Sequence, residues 1–157
     1  MRPRVVYVLL ALMLLTSQTY GSKPNIVLIM ADDLAYGDVG CCGHPQAKTP
    51  HIDLLAREGV RFTQHYANGP ECSPTRTAFL TGKYQQFAGG LECAIGTGNV
   101  GRYDDAIRLA NQHDLGLPAV QTVLPKLLTQ QGYGSAVFGK WHLGYEPKFN
   151  PKAHGWD

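Results

Sequence analysis

Apolar residues along this chain form short runs, and glycine, proline and aspartate separate them. Three of the runs have the length of a β-strand, and they cover residues 26–30, 60–66 and 134–138. The first run is continuously apolar, which is typical of a strand buried on both faces of a sheet. We therefore predict a strand at each of the three positions.

Apolar residues at helical spacing lie between these runs. Thr49 and Pro50 are typical of a helix start, and Gly59 is typical of a helix end. Further helices are predicted over residues 73–81 and 123–131, and a glycine follows each of them. The resulting order, β-α-β-α-α-β, predicts a mixed α/β fold.

Residues 83–117 interrupt this alternation. Their apolar periodicity is weak and glycines recur among them, so we predict an extended loop. Loops of this length are usually functional, and loops often carry binding residues. We expect this one to contribute to the rim of a binding pocket.

The N-terminus has the pattern of a secretory signal peptide. Residues 1–4 are basic, residues 5–15 are apolar, and small residues follow near Gly21. A membrane-spanning helix needs about 20 apolar residues, so a stable membrane span is not expected. We predict a signal peptide over 1–21 and an exported mature chain over 22–157, in a periplasm, a secretory lumen or outside the cell.

Composition places the rest of the chain among ordinary globular domains. The chain has 157 residues, of which 44% are hydrophobic and 17% are charged, and its formal net charge is +2. The sequence has no basic tract, so nucleic acid is not expected as a partner.

The cysteines of the chain are Cys41, Cys42, Cys72 and Cys93. Adjacent cysteines such as Cys41 and Cys42 rarely bond to each other without strain. The spacing contains no Cys-x-x-Cys pair, which is the usual zinc-binding spacing. The pattern therefore predicts neither a disulfide framework nor a zinc site, and it leaves the pairing of individual cysteines undetermined.

Cys72 lies at the predicted start of the second helix. Backbone N–H groups and the helix dipole favour negative charge there. Arg76, one turn later, can offer two donors to an oxyanion. Three interpretations of Cys72 are open: a small packed side chain, a nucleophilic thiol, or a residue modified for chemistry on an anion. The offsets of Pro74 and Arg76 favour the last interpretation.

Two other polar pairs follow predicted strands. Asp32 and Asp33 follow the first strand, where α/β sheets place ligands, and such a pair suits either a hard cation such as Ca²⁺ or a solvated turn. Lys140 and His142 follow the third strand, and their spacing puts both side chains on one face of an extended segment. They are either a solvated lysine and a packed histidine, or an anion ligand and a proton-transfer group.

Three segments resemble elements of the sulfatase family. Residues 72–82 are similar to its first signature and residues 132–144 to its second, while residues 24–33 are similar to its first strand with its aspartate pair. Within the family, the sequence resembles arylsulfatases and N-acetylgalactosamine-6-sulfatases. The resemblance implies the N-terminal part of an alkaline-phosphatase-like α/β fold, in which helices flank a mixed sheet.

The resemblance also implies a modified cysteine and a metal. Cys72 is expected to be oxidised to formylglycine by a formylglycine-generating enzyme. Asp32, Asp33 and position 72 are expected to bind Ca²⁺. Family members run to several hundred residues, and their later half supplies further ligands, so we expect residues 22–157 alone to be inactive.

The implied activity is hydrolysis of sulfuric esters, on aryl or carbohydrate sulfates. Arg76 and Lys140 would offset charge on the sulfate, and His142 would hydrogen-bond the formylglycine hydroxyl and accept its proton. One alternative is a phosphonate or phosphate monoester hydrolase of the same superfamily, which shares the Cys-x-Pro-x-Arg motif. Another is a secreted fragment without catalytic activity.

Overall fold

Proline in the first turn and glycine after the last turn mark the helices that the sequence predicts. In the computed structural model, which describes residues 22–89, 91–96 and 98–157, the α-helices are α1 (Pro50–Glu58), α2 (Cys72–Thr81), α3 (Asp104–Asn111) and α4 (Leu124–Gln130). Proline needs no hydrogen-bond partner for its nitrogen at a helix start. Gly82 ends α2 at φ +66°, a value that a β-carbon disfavours. The three predicted helices are confirmed, and α3 is additional.

Short 3₁₀ helices connect the described elements. They are Tyr36–Asp38, Gly40–Cys42, Gln85–Phe87, Gly98–Arg102, Pro147–Phe149 and Pro151–His154.

The start of α1 is stabilised differently from the predicted cap. The Thr49 hydroxyl bonds to no amide of the helix. Instead it accepts from the Gly40 N–H at 2.8 Å and donates to the Asp53 carboxylate at 2.8 Å. The same carboxylate accepts from the Cys41 N–H at 2.7 Å. The first turn of α1 therefore holds the preceding 3₁₀ helix in place.

The hydrophobic core joins segments that are far apart in sequence. Leu80 of α2 packs with residues before α3, before α4 and near the C-terminus, and the buried members of this cluster are Leu80, Ala88, Leu91, Ile95, Leu117, Val123 and Leu143. Trp141 and Trp156 pack against it while partly exposed. Core burial therefore stabilises the two signature segments against each other.

The prediction of an extended loop over residues 83–117 is wrong in part. This region contains α3, whose first turn carries Asp104 and Asp105, where carboxylates interact favourably with the helix dipole. Its residues 91–95 are mostly buried in the core. The apolar residues pack individually against several neighbours, so they show no helical or strand period.

The structure shows none of the three predicted strands among the residues that it describes. Residues 26–30, 60–66 and 134–138 form no strand. Their apolar side chains are largely exposed, with Val27 83% and Phe138 93% accessible. The described residues therefore form no mixed sheet.

The absence of a strand ladder among the described residues explains why these segments form no strand. A strand is stabilised by a neighbour that pairs with its N–H and C=O groups and covers its side chains. The described residues hold one isolated antiparallel bridge, between Gly116 and Gly144. The apolar runs signal a tendency to be buried in a sheet, but no described segment forms a strand ladder with them.

The chain divides into two units, one ending at Leu34 and one spanning Ala35–Asp157. The first unit holds Asp32 and Asp33. The predicted signal peptide, residues 1–21, lies outside the described residues. Among residues that the structure does describe, no helix is both long and apolar enough to span a membrane.

Candidate active site

Cys72 is the first residue of α2, as the sequence predicts. Its side chain is half-buried and forms no disulfide. Glu71, just before the helix, accepts from the Ala94 N–H at 2.5 Å. This bond fixes the approach to α2 against the buried loop of residues 91–96, so position 72 has a defined place at the helix N-terminus.

The second signature segment lies against this helix start. The Lys140 ammonium donates to the Cys72 sulfur at 3.2 Å, and the Arg76 guanidinium donates to the Lys140 carbonyl at 2.5 Å. The Lys140 ammonium therefore reaches position 72, and Arg76, on the same helix, bonds to the backbone of Lys140. This arrangement is chemically suited to an anionic group.

Ser73 makes two further contacts between these segments. Its buried hydroxyl donates to the His142 carbonyl at 2.8 Å and accepts from the Ile95 N–H at 3.2 Å. Both bonds lie one residue from Cys72. The helix start is thus tied to residue 142 and to the loop before α3.

His142 takes an unusual conformation. Its φ is +57°, in the left-handed region where a β-carbon is strained by about 1–2 kcal/mol. Ring atom Nε2 lies 2.7 Å from the Ile95 carbonyl oxygen, while Nδ1 is buried and has no partner among the described atoms. The backbone is strained at a residue whose ring has an unused proton-accepting position, a combination typical of functional sites.

Asp32 and Asp33 lie in the unit that ends at Leu34, and both are exposed. Asp33 has φ +56°, which aspartate tolerates better than most residues. Two adjacent accessible carboxylates supply the hard oxygen ligands that Ca²⁺ prefers. Their chemistry fits a calcium ion, although about 6–8 oxygens are needed to complete its coordination.

Cys93 contrasts with Cys72. It is buried, and burial raises the pKa of its thiol, with the charges of Glu71 and Glu92 adding to the effect. A thiol that stays protonated is a poor nucleophile. Cys93 is therefore a packing residue.

Sequence reasoning missed Ser73 and the loop of residues 91–96. The position of Ser73 inside the first signature was a signal that its hydroxyl has a partner. The partners themselves, Ile95 and the His142 carbonyl, are backbone groups from other segments, and no sequence pattern marks them.

Comparison with known proteins places this geometry in a family. The Sulfatase family model matches residues 24–157, and the chain belongs to the sulfatase family. It is 44% identical over 140 residues to steryl-sulfatase of Mus musculus, and the matched region covers 85% of this chain and 21% of that protein. It is 40% identical over 134 residues to N-acetylgalactosamine-6-sulfatase of Canis lupus familiaris, covering 85% of this chain and 24% of that protein.

A solved structure agrees with the sequence relatives. The crystal structure of Ps i-CgsB superposes with a TM-score of 0.72 at 37% identity, covering 86% of this chain and 27% of that one. The same protein has been solved with k-i-k-neocarrahexaose. This chain therefore spans about a fifth to a quarter of the length of its relatives.

Proposed function

We propose that this chain is part of a sulfuric ester hydrolase in which Cys72 is converted to formylglycine. The observation that carries the proposal is the meeting of Cys72 and Lys140, with 3.2 Å between sulfur and ammonium, at the first residue of an α-helix. Membership of the sulfatase family supports it. The helix start, Lys140 and Arg76 together favour an anionic group at this point.

Each residue has a part that follows from its chemistry. As formylglycine, position 72 supplies a hydrated aldehyde, whose hydroxyl is the nucleophile toward the sulfur of the ester. Lys140 brings a positive charge to the sulfate oxygens. Arg76 is oriented by its bond to the Lys140 carbonyl, and with five N–H donors it can serve more than one acceptor. Both cations offset the charge that builds up as the ester bond breaks.

His142 is proposed as the proton acceptor. Because Nε2 faces the Ile95 carbonyl, Nδ1 is the ring atom that would take a proton from a hydroxyl at position 72. In this scheme the histidine removes a proton from the hydroxyl that remains after the alcohol has left. Sulfate can then be released as the C–O bond to it breaks.

Calcium is proposed as the metal. Asp32, Asp33 and position 72 would hold it through oxygen atoms, and the ion would offset charge on the sulfate group. The accessible, adjacent carboxylates support this ligand set. The remaining ligands would come from elsewhere in the whole enzyme.

The substrate class is proposed from the relatives. A steryl-sulfatase and an N-acetylgalactosamine-6-sulfatase are both about 40% identical to this chain, so aryl, steryl or carbohydrate sulfates are the candidates. A formylglycine-generating enzyme would be the partner that modifies Cys72, and export would follow from the signal-like residues 1–21. In the whole enzyme, residues 26–30, 60–66 and 134–138 would pair into the mixed sheet of an alkaline-phosphatase-like fold.

Peptide mass spectrometry across Cys72 tests the first step. We expect protein made together with a formylglycine-generating enzyme to give a peptide in which an aldehyde oxygen replaces the thiol. Cys93→Ala is the matched control, because it removes a cysteine outside the signature of residues 72–82 and should give the same aldehyde. Ser73→Ala is unsuitable as a control, because it changes the signature itself. An intact Cys72 thiol under these conditions would contradict the proposal and favour a non-catalytic role.

Hydrolysis assays test the second step, on the product of the whole reading frame as defined by sequencing the transcript beyond codon 157. We expect turnover of an aryl sulfate, and Cys72→Ala should lower kcat by roughly 10³-fold or more because it removes the nucleophile. Removing Ca²⁺ with a chelator should also lower it. Faster turnover of an aryl phosphonate would show a phosphonate monoester hydrolase instead, and activity that survives Cys72→Ala would refute the mechanism.

A further inference from the structure

Ser73 has no part in the chemistry at sulfur, yet its hydroxyl closes a ring of hydrogen bonds. It donates to the His142 carbonyl at 2.8 Å and accepts from the Ile95 N–H at 3.2 Å. His142 Nε2 in turn lies 2.7 Å from the Ile95 carbonyl. Three residues from separate segments are therefore joined in a closed circuit, and Ser73 itself is fully buried.

This circuit determines which nitrogen of His142 carries the proton. A carbonyl oxygen accepts hydrogen bonds and has no proton to donate, so the 2.7 Å contact requires a proton on Nε2. In the neutral ring Nδ1 then carries the lone pair. Nδ1 is buried with no partner among the described residues, so it has lost water and is left for a hydroxyl donor.

The circuit also holds a backbone that would otherwise relax. His142 has φ +57°, which its β-carbon disfavours. The bond from Ser73 to the His142 carbonyl opposes a rotation of that peptide, and the bond from the Ile95 N–H holds the residue whose carbonyl the ring contacts. One hydroxyl therefore controls both the main chain and the ring of His142.

We propose that Ser73 is a positioning residue, which holds His142 with Nδ1 as its proton-accepting atom. The importance of this for catalysis rests on the proposed function, since only a hydroxyl at position 72 gives Nδ1 a proton to accept. The geometry itself does not depend on sulfate chemistry. Ser73 and Cys72 are neighbours on α2. The Ser73 hydroxyl therefore also fixes the position of the His142 backbone relative to position 72.

Histidine-ring and amide NMR of the chain tests the proposal, at mildly alkaline pH where an ordinary imidazole is neutral. In the unchanged protein we expect a single His142 tautomer with a slowly exchanging proton on Nε2. Ser73→Ala should speed exchange of that proton and of the Ile95 amide by roughly tenfold or more. The Leu117 amide, which bonds to the Leu143 carbonyl at 2.8 Å, should keep its rate.

Two variants serve as controls. Ser73→Thr keeps a hydroxyl and should restore the slow exchange. Thr81→Val removes a hydroxyl that bonds within α2, to the Thr77 carbonyl at 2.7 Å, and should leave His142 and Ile95 unchanged. A uniform rise in exchange across all core amides in Ser73→Ala would overturn the proposal, because it would show general destabilisation.

One test needs no variant at all. A proton on Nδ1 of His142 in the unchanged protein would overturn the proposal directly, as would exchange in Ser73→Ala that stays within about twofold of the unchanged protein. An unmodified Cys72 or an absence of sulfatase activity would refute the proposed function and leave these ring and amide signals as expected. The two failures are therefore distinguishable.

Discussion

Two halves of one signature behave differently in this structure. Residues 140–144 are held at almost every position: side chains of α2 bond to the carbonyls of Lys140 and His142, and the Leu143 carbonyl accepts from the Leu117 N–H. In residues 133–138, exposed and half-buried side chains alternate, and Phe138 is 93% accessible. Residues 140–144 therefore find their partners within the chain, whereas the apolar side chains of residues 133–138 are left largely uncovered.

The difference shows that a functional signature combines two kinds of information. Residues 140–144 bind to nearby helices and loops through specific hydrogen bonds. Residues 133–138 carry the composition of a buried strand, whose stability depends on a paired neighbour. The same type of substitution should therefore lower the unfolding free energy more in residues 140–144 than in residues 133–139.

Gly144 and Gly139 give the largest expected contrast. Gly144 has φ +130°, and a β-carbon there would lie 2.3 Å from Cβ of Phe149. Gly144→Ala adds a backbone strain of about 1–2 kcal/mol to a packing clash of about 1–3 kcal/mol, so we expect a loss of about 2–5 kcal/mol in unfolding free energy. Gly139 has φ +100° with nothing within 4 Å, so Gly139→Ala should cost only the backbone part.

Urea denaturation of both variants measures this contrast. Equal losses of unfolding free energy would mean that Phe149 yields to the new methyl group. The bridge between Gly116 and Gly144 would then be less tightly packed than the structure indicates.

Leu143 and Phe138 give the next contrast. Leu143 is fully buried in the core, so Leu143→Ala should lower the unfolding free energy by about 3 kcal/mol through the cavity that it leaves. Phe138→Ala should change it by less than about 0.5 kcal/mol, since the ring is exposed. Thermal unfolding of the pair measures the difference, and a large loss for Phe138→Ala would show that residues 133–138 are covered in solution, for example by a second copy.

His154 predicts an effect on stability that depends on pH. It is fully buried beside Trp141, with ring centroids 5.3 Å apart and neither nitrogen bonded among the described atoms. Burial, followed by the charge of Lys126, lowers the pKa of His154 from 6.5 to about 4. Between these values the unfolded chain binds more protons than the folded one, so stability is present above pH 6.5 and is lost as pH falls toward 4.

A shift of this size corresponds to roughly 3 kcal/mol across that interval. Urea denaturation at several pH values measures it, with His154→Phe as the matched variant that keeps an aromatic ring and has no titrating group. We expect the acid-side slope to weaken in His154→Phe. An unchanged slope would assign the acid sensitivity to other groups.

The sequence by itself determined α1, α2, α4 and the candidate chemistry. Proline and glycine act on the backbone through sterics that need no distant partner, so the ends of α1, α2 and α4 were predictable. The placement of Cys72 at a helix start followed from the same local rules. The resemblance of residues 72–82 and 132–144 to family signatures correctly predicted the sulfatase family.

Only the tertiary structure decided which groups meet. It brings Lys140 to Cys72 and joins Ser73, Ile95 and His142, because burial of Leu80, Leu91 and Leu143 in one core draws their segments together. It also decides that the predicted strands have no ladder among the described residues. Hydrogen bonds to backbone carbonyls and strand pairing depend on residues far away in sequence, so a local pattern can indicate a need for partners without identifying them.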